Sequence, residues 1–138
     1  MDRMVAEGIV LSVQAQASLE TFGNVEAIDF FSPDQKAKGA AVNTGAQQML
    51  TWAVEKGVEM VLGGDMFGPD HHRQADNLTW FNTIADDNLL TLRSSTSTSG
   101  RVLVEMSGGM NPYKDGPIGV IQEGAYADII LVDGNPLE

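Results

Sequence analysis

The stretch that decides the fold prediction is SPDQKAKGAAVNTGAQQMLTWAVEKGVEMVLGGD, residues 32–65. Ser32 can cap a helix, with Gln35 at the matching position of a capping box and Pro33 in the first helical turn. Apolar residues then recur with helical spacing until a glycine provides a stop signal. We therefore predict a long helix over 33–56, weakened in its first half by two glycines.

Short apolar runs lie on both sides of this helix and are typical of buried strands. They span about 8–14 and 58–63, and the second run leads into a Gly-Gly-Asp sequence. A strand, a helix and a second strand form a βαβ unit, so we predict that the two strands pair in parallel. Residues 15–31 have no clear periodicity and are predicted to be irregular.

The rest of the chain divides into a helical part and a loop-rich part. Helices are predicted at about 71–84, 87–94 and 98–107. Glycines and prolines then become frequent, which ends the helical pattern, and a final strand is predicted over 127–132. Two consecutive parallel strands are a poor core for 138 residues, because parallel sheets have both faces covered. The sheet is therefore expected to need strands that the pattern does not reveal or that lie outside this sequence.

The composition argues against several classes of function. The chain has 19 acidic and 8 basic residues, a formal net charge of −11. No basic patch is available to neutralise phosphates, so neither nucleic acid nor an anionic membrane is a predicted partner. The sequence has no cysteine, which excludes disulfides and thiolate metal sites. No run approaches the ~18 apolar residues of a membrane span. We expect a soluble, cytoplasmic protein.

Asp65 is the candidate catalytic residue. A parallel strand that runs into Gly-Gly-Asp places a carboxylate at its carboxyl end, where active sites of parallel α/β folds and barrels lie. Such an aspartate can bind a metal or act as a general base toward a metal-bound water. The alternative is structural, because Gly-Gly-Asp is also common in turns.

The two histidines, His71 and His72, are weaker candidates for substrate binding. Adjacent helical residues point about 100° apart, so these side chains would not readily hold one metal together. Exposed histidines at the start of a helix are the simpler interpretation. The sequence has no His-x-His and no His-Glu-x-x-His, so it predicts no complete metal site. Trp52 is predicted on the buried edge of the long helix, and Phe81 in the core.

Two stretches near the C-terminus carry a resemblance to a known family. They are SGGMNPY, residues 107–113, and GVIQEGAYADIILVDGNPL, residues 119–137. These stretches resemble the C-terminal signature of the amidohydrolase superfamily. In that signature four features recur together: a glycine, Gly-x-x-Ala-Asp, a short apolar strand and Asp-Gly-x-Pro-Leu. The sequence is most similar to the imidazolonepropionase-like and Xaa-Pro dipeptidase-like branch, and the resemblance covers essentially the whole chain in order.

The resemblance implies an α/β fold made of the last βα units of a (β/α)8 amidohydrolase barrel plus part of a small β-sandwich domain. Residues 1–107 would hold barrel strands seven and eight with their following helices, and residues 108–138 would belong to the C-terminal β-sandwich. A barrel needs about 250 residues, so the chain would cover roughly its last quarter. The family usually continues with further strands, so the sandwich is expected to be incomplete at Glu138.

The resemblance also implies a ligand set. In the family, strand one supplies His-x-His, strand four a lysine or glutamate that bridges two metals, strands five and six a histidine each, and strand eight an aspartate. Only the last has a counterpart here, as Asp65, with Gly64 in the position usually held by serine or threonine. In an intact relative a divalent metal, commonly zinc, activates water, and the aspartate passes its proton to the leaving nitrogen.

The function that the resemblance implies is hydrolysis of a C–N bond in a small cyclic amide or dipeptide. Because the catalytic set is incomplete, we expect this chain to be a C-terminal fragment that is inactive in isolation and binds no metal tightly. Two alternatives stay open. The chain is a non-catalytic α/β association module, or it is one chain of a split hydrolase completed by another polypeptide. Exposed barrel edges favour self-association.

Overall fold

The computed structural model describes residues 1–66 and 68–138. Five α-helices and two β-strands are present in these residues, in the order α1 Asp2–Glu7, β1 Leu11–Val13, α2 Pro33–Lys56, β2 Met60–Leu62, α3 Asn77–Ala85, α4 Asn88–Ser95 and α5 Ser97–Ser107. Short helical turns of other types lie at Ala17–Thr21, Val25–Ala27, Gly68–Asp76 and Gly108–Met110. None of the helices in the described residues combines the length and apolar character needed to cross a bilayer.

Helix α2 confirms the interpretation of its capping sequence. The hydroxyl of Ser32 accepts a hydrogen bond from the backbone N–H of Gln35 at 3.3 Å, and the Gln35 side chain accepts one from the backbone N–H of Ser32 at 2.8 Å. Pro33 occupies the first helical position. At the other end Gly57 adopts a left-handed conformation, with a φ of 67°, which ends the helix.

The two strands pair in parallel, as predicted, with Leu11 opposite Met60 and Val13 opposite Leu62. Each strand has only three residues, so both are shorter than the apolar runs that contain them. Within the described residues the sheet consists of these two strands, and α2 makes the connection between them. Their carboxyl ends therefore lie side by side, followed by the chain after Val13 and the chain after Leu62.

The core lies between this small sheet and the helices α2 and α3. Its buried members are apolar and come from both strands, from α2 and α3, from the turn after β1 and from the connection between α2 and β2: Val13, Ala15, Leu19, Leu50, Ala53, Val58, Met60, Phe81 and Ala85. Phe81 is the largest side chain among those that are almost completely buried. Packing against α2 and α3 thus stabilises a sheet that is too small to be stable by itself.

The C-terminal tail packs on the beginning of α5 through glycines. A Cβ atom placed on Gly100 would lie 2.1 Å from the carbonyl oxygen of Ile118. A Cβ atom placed on Gly119 would lie 2.3 Å from the carbonyl oxygen of Thr96. The tail backbone and the helix therefore touch directly, which only residues without a side chain permit.

Two expectations about secondary structure are wrong. No strand forms over 127–132, and Ile130 and Leu131 are 84% and 97% exposed. A strand requires a neighbouring strand for its backbone hydrogen bonds, and the described residues place none beside this segment. Residues 15–31 are also not irregular, because they contain the helical turns Ala17–Thr21 and Val25–Ala27. The α/β class is confirmed.

Candidate functional site at the carboxyl ends of the strands

Asp65 lies in the chain just beyond the carboxyl end of β2. The strand ends at Leu62, and Asp65 follows after two glycines, outside any helix or strand and exposed to solvent. This is the position that the sequence predicts for it. A cavity of about 280 Å³ lies beside this loop, lined among others by Leu62, Gly64 and Asn77. A solvated carboxylate at the carboxyl ends of parallel strands can accept a proton or contribute one ligand to a cation.

The backbone of Asp65 is in the left-handed region, with a φ of 50°. Within the described part of the chain, Asp86 is the one other non-glycine residue with a positive φ, of 46°, and it caps the end of α3. Aspartate tolerates this conformation better than most residues, yet glycine would adopt it without strain. The exposed carboxylate on this left-handed residue makes Asp65 a candidate for a functional role.

We expect Asp65→Gly to leave the free energy of unfolding unchanged or to raise it by up to about 1 kcal/mol, because glycine relieves the left-handed strain. Asp65→Ala should lower it, since alanine has the Cβ atom without the local hydrogen bonding of aspartate. Urea unfolding of the three proteins measures this order. Asp86→Gly is the matched control and should behave in the same way. A clear loss of stability in Asp65→Gly would show that the carboxylate has a structural role.

A polar network joins the turn after β1 to the helical turn that precedes α3. Gln16, which is completely buried, donates from its side-chain nitrogen to a carboxylate oxygen of Glu20 at 2.9 Å. Arg73 binds the other oxygen of Glu20 at 2.6 Å and contacts Asp76 at 3.0 Å. The hydrogen bond from Gln16 is the largest effect that lowers the pKa of Glu20 below its ordinary value. Partial burial acts in the opposite direction, and Arg73 lowers the pKa further.

The lowered pKa of Glu20 makes the stability of the chain depend on acid pH. The unfolded chain binds the proton more readily, so the stabilisation is complete above about pH 5 and is lost as the pH falls through the folded-state pKa. We expect Glu20→Gln to have a flatter dependence of unfolding free energy on pH between about 3 and 6 than the wild type. Urea unfolding at several pH values measures this dependence. If the unfolding free energy of both proteins changed equally with pH, the role assigned to this carboxylate would be contradicted.

Asn77, the first residue of α3, ties the two strand ends together, although no motif in the sequence singles it out. It is only 4% exposed. Its side-chain oxygen accepts from the backbone N–H of Gln16 at 2.9 Å, and its side-chain nitrogen donates to the carbonyl of Gly63 at 2.7 Å. A lone asparagine has no sequence signature for such a bridge. Only the folded chain brings positions 16, 63 and 77 together.

The two histidines are exposed and lie in the helical turn Gly68–Asp76. A ring nitrogen of His72, Nδ1, is 2.8 Å from the carbonyl oxygen of Pro69, so this ring contacts its own turn. The described residues contain no group of three or more histidine, aspartate or glutamate side chains placed to hold a metal ion. A catalytic zinc site has about three protein ligands, so the described residues by themselves do not fit such a site. Asp65 could contribute one ligand.

No protein-family model and no curated protein sequence matches the chain. Solved structures do match it. A Xaa-Pro dipeptidase with methionine bound in the active site has a TM-score of 0.79 and 23% identity, over 99% of this chain and 31% of that chain. An amidohydrolase has a TM-score of 0.75 and 25% identity, over 99% of this chain and 30% of that chain.

A third match is a prolidase complexed with N-methylphosphonate-L-proline, with a TM-score of 0.69 and 28% identity, over 99% of this chain and 31% of that chain. The chain thus spans less than a third of the length of these structures. The match extends over almost the whole chain and includes proteins of the branch that the C-terminal motif resembles. The predicted resemblance to a portion of the amidohydrolase superfamily is therefore confirmed by structure.

Proposed function

We propose that this chain forms the C-terminal portion of a metal-dependent amidohydrolase that hydrolyses a C–N bond in a small cyclic amide or dipeptide. The observation that carries the proposal is the structural match. It covers 99% of this chain but only 30–31% of an amidohydrolase and a prolidase, at 25–28% identity. This coverage supports the proposal that the chain is part of such an enzyme, in which case the activity would belong to the larger assembly.

The unpaired surfaces of the chain support an origin in a larger fold. In the described residues β1 and β2 have only each other as strand partners, so neither outer edge of the sheet pairs with another strand. The four apolar residues 129–132 are between 56% and 97% exposed. We assign residues 1–107 to the last strands and helices of a (β/α)8 barrel and residues 108–138 to a small β-sandwich. Further barrel and sandwich strands would then cover these edges.

Asp65 is the residue of this chain that we assign to the active site. Its location beyond the carboxyl end of a parallel strand is that of catalytic residues in barrels. We propose that it serves as a metal ligand and as the base that accepts a proton. The other ligands of a divalent metal, with zinc as the first choice, would come from strands that are not in this sequence. His71 and His72 stay candidates for contacts with the substrate.

The free sheet edges and the apolar segment also favour self-association of the isolated chain. Unpaired strand edges and exposed apolar side chains are stabilised when a second copy covers them. Sedimentation velocity measures this directly. A monomer at high protein concentration would speak against it. A stoichiometric second polypeptide in material purified from its source would instead support a split hydrolase.

We expect the isolated chain to hydrolyse neither dipeptides nor cyclic amides and to bind no metal tightly. A single carboxylate binds a divalent ion weakly, because water must replace each missing ligand. The experiment adds zinc, cobalt or manganese to metal-stripped protein and assays a panel that includes Xaa-Pro dipeptides. Turnover that disappears in Asp65→Asn would contradict this expectation, since the chain would then build a complete site. Turnover that survives Asp65→Asn would indicate a contaminating enzyme.

The positive test uses a longer polypeptide. An in-frame His-x-His encoded upstream of the Met1 codon would identify the remainder of the barrel. In that complete protein, Asp65→Asn should lower kcat by about 10²–10⁴-fold, the usual range for a general acid–base group. Asp86→Asn is the matched control, because Asp86 has the same backbone conformation at the end of α3. Equal activity of Asp65→Asn and wild type would refute the assigned role. Without upstream coding sequence, the association module and the split hydrolase would be the two interpretations left.

A further inference from the structure

We propose that Asn77 is the positioning residue of the strand-end loop, using both ends of its side-chain amide to hold the chain after β1 against the chain after β2. For catalysis this inference rests on the proposed function, because it matters there only if Asp65 acts at an active site. The bridge itself stands on contacts within this chain and can be tested separately.

The geometry identifies what the bridge connects. Gly63 donates its backbone N–H to the carbonyl of Val13 at 2.9 Å, which extends the sheet by one hydrogen bond. The carbonyl of the same residue accepts from the Asn77 side chain at 2.7 Å. Both polar groups of the Gly63 backbone are therefore used, and Asp65 follows only two residues later. The origin of the loop is held on one side by β1 and on the other by α3.

An amide is the group that suits this position. The backbone N–H of Gln16 requires an acceptor, and the carbonyl of Gly63 requires a donor. A carboxylate offers acceptors only, and an aliphatic side chain offers neither. Because Asn77 is buried, either replacement would leave a desolvated polar group without a partner.

The bridge has a consequence for the proposed active site. A catalytic group must be held within about 0.5 Å of its productive position by side chains that are themselves fixed. Asp65 is exposed, and the two glycines before it do not restrict the backbone. The anchor at Gly63 supplies the missing restriction, since it leaves only Gly64 between the fixed residue and Asp65.

Asn77→Asp provides a reversible test, because the two side chains have the same shape. At neutral pH the carboxylate cannot donate to Gly63, and its negative charge faces a carbonyl oxygen. The backbone N–H of Gly63 donates to Val13 and that of Gln16 donates to Asn77, so these two amides report on the bridge. We expect the protection of the Gly63 amide against hydrogen exchange to fall at least about tenfold, the loss of roughly 1.4 kcal/mol or more that a broken buried hydrogen bond produces. On acidification the protonated carboxyl group can donate again, so protection should return toward the wild-type value measured at the same pH.

Three controls separate hydrogen bonding from space filling. Asn77→Ala should lose protection at every pH. Asn82→Asp, on the same helix, changes a residue that bonds to Asn88 and Thr91 rather than to a strand, so it should leave the amides of Gln16 and Gly63 unaffected. The amides of residues 46–56 in α2 report whether each variant is folded. The proposal would be overturned if Asn77→Asp lost no protection against hydrogen exchange, or if acid did not restore the protection that it lost.

The wild type supplies a measurement that does not depend on any variant. One side-chain N–H of Asn77 should exchange slowly with solvent, because it donates to Gly63, and rapid exchange of both would overturn the bridge. In an active longer protein, Asn77→Asp should lower kcat more than it raises KM, and its kcat should recover on acidification relative to wild type. An inactive longer protein would refute the proposed function while leaving the exchange result intact, so the two failures can be told apart.

Discussion

Replacing Phe81 by alanine should lower the free energy of unfolding by about 3–5 kcal/mol, the cost usually found when a buried phenylalanine is truncated. Phe81 is 1% exposed and belongs to the same cluster as Val13, Leu50 and Met60. The substitution removes the ring that α3 contributes between the sheet and α2 and leaves a cavity in its place. A domain of this kind has about 5–15 kcal/mol of stability in total, so the loss would be a large fraction.

Urea unfolding followed by circular dichroism measures the effect of Phe81→Ala. The control is Thr79→Ala, an exposed position on the same helix, which should change stability by no more than about 0.5 kcal/mol. If Phe81→Ala lowered the free energy of unfolding by less than about 1 kcal/mol, the buried cluster around Phe81 would not be the main core. Loss of the parallel pairing between β1 and β2 would be expected to accompany the destabilisation.

Gly100→Ala should detach the C-terminal tail from α5. The added Cβ atom would lie 2.1 Å from the carbonyl oxygen of Ile118 and 2.8 Å from its carbonyl carbon. These are backbone atoms, so the clash cannot be relieved by rotating a side chain, and the tail must move. Such overpacking costs about 1–3 kcal/mol, which here acts on the docking of the tail rather than on the sheet. Limited proteolysis and hydrogen exchange over 111–126 should both report faster opening.

Gly45→Ala is the matched control for this prediction. Gly45 lies on the exposed side of α2, and a Cβ atom there would meet nothing within 4 Å. Alanine is a better helix former than glycine, so we expect a gain of about 0.5–1 kcal/mol. A loss of stability in Gly100→Ala together with a gain in Gly45→Ala would confirm that the close approach of the tail, and not the flexibility of glycine, explains why position 100 is glycine. Unchanged tail protection in Gly100→Ala would contradict this explanation.

Local signals in the sequence were sufficient to predict the first part of the fold. The capping box of Ser32 and Gln35 and the C-terminal glycine at position 57 act within a few residues, so they specify the ends of α2 wherever that helix lies. The short apolar runs predicted β1 and β2, although only three residues of each form the strand. Sequence order also placed Asp65 beyond the carboxyl end of β2.

Side-chain environments were predicted less well. Trp52 was expected on the buried edge of α2 but is 49% exposed. The neighbouring position, Ala53, faces the core, and adjacent helical residues point about 100° apart, so both cannot be fully buried against one small sheet. Which of the two faces inward depends on how α2 is rotated against the strands, and the spacing of apolar residues left that rotation open.

By itself the sequence determined the α/β class, the long capped helix, the parallel strand pair and the resemblance to amidohydrolases, because caps, periodicity and motifs are properties of short segments. The tertiary structure decided the contacts between distant segments. Asn77 joins positions 16 and 63, and the tail meets Gly100 across a helix surface. It also decided that 127–132 forms no strand, since a strand exists only when a partner lies beside it.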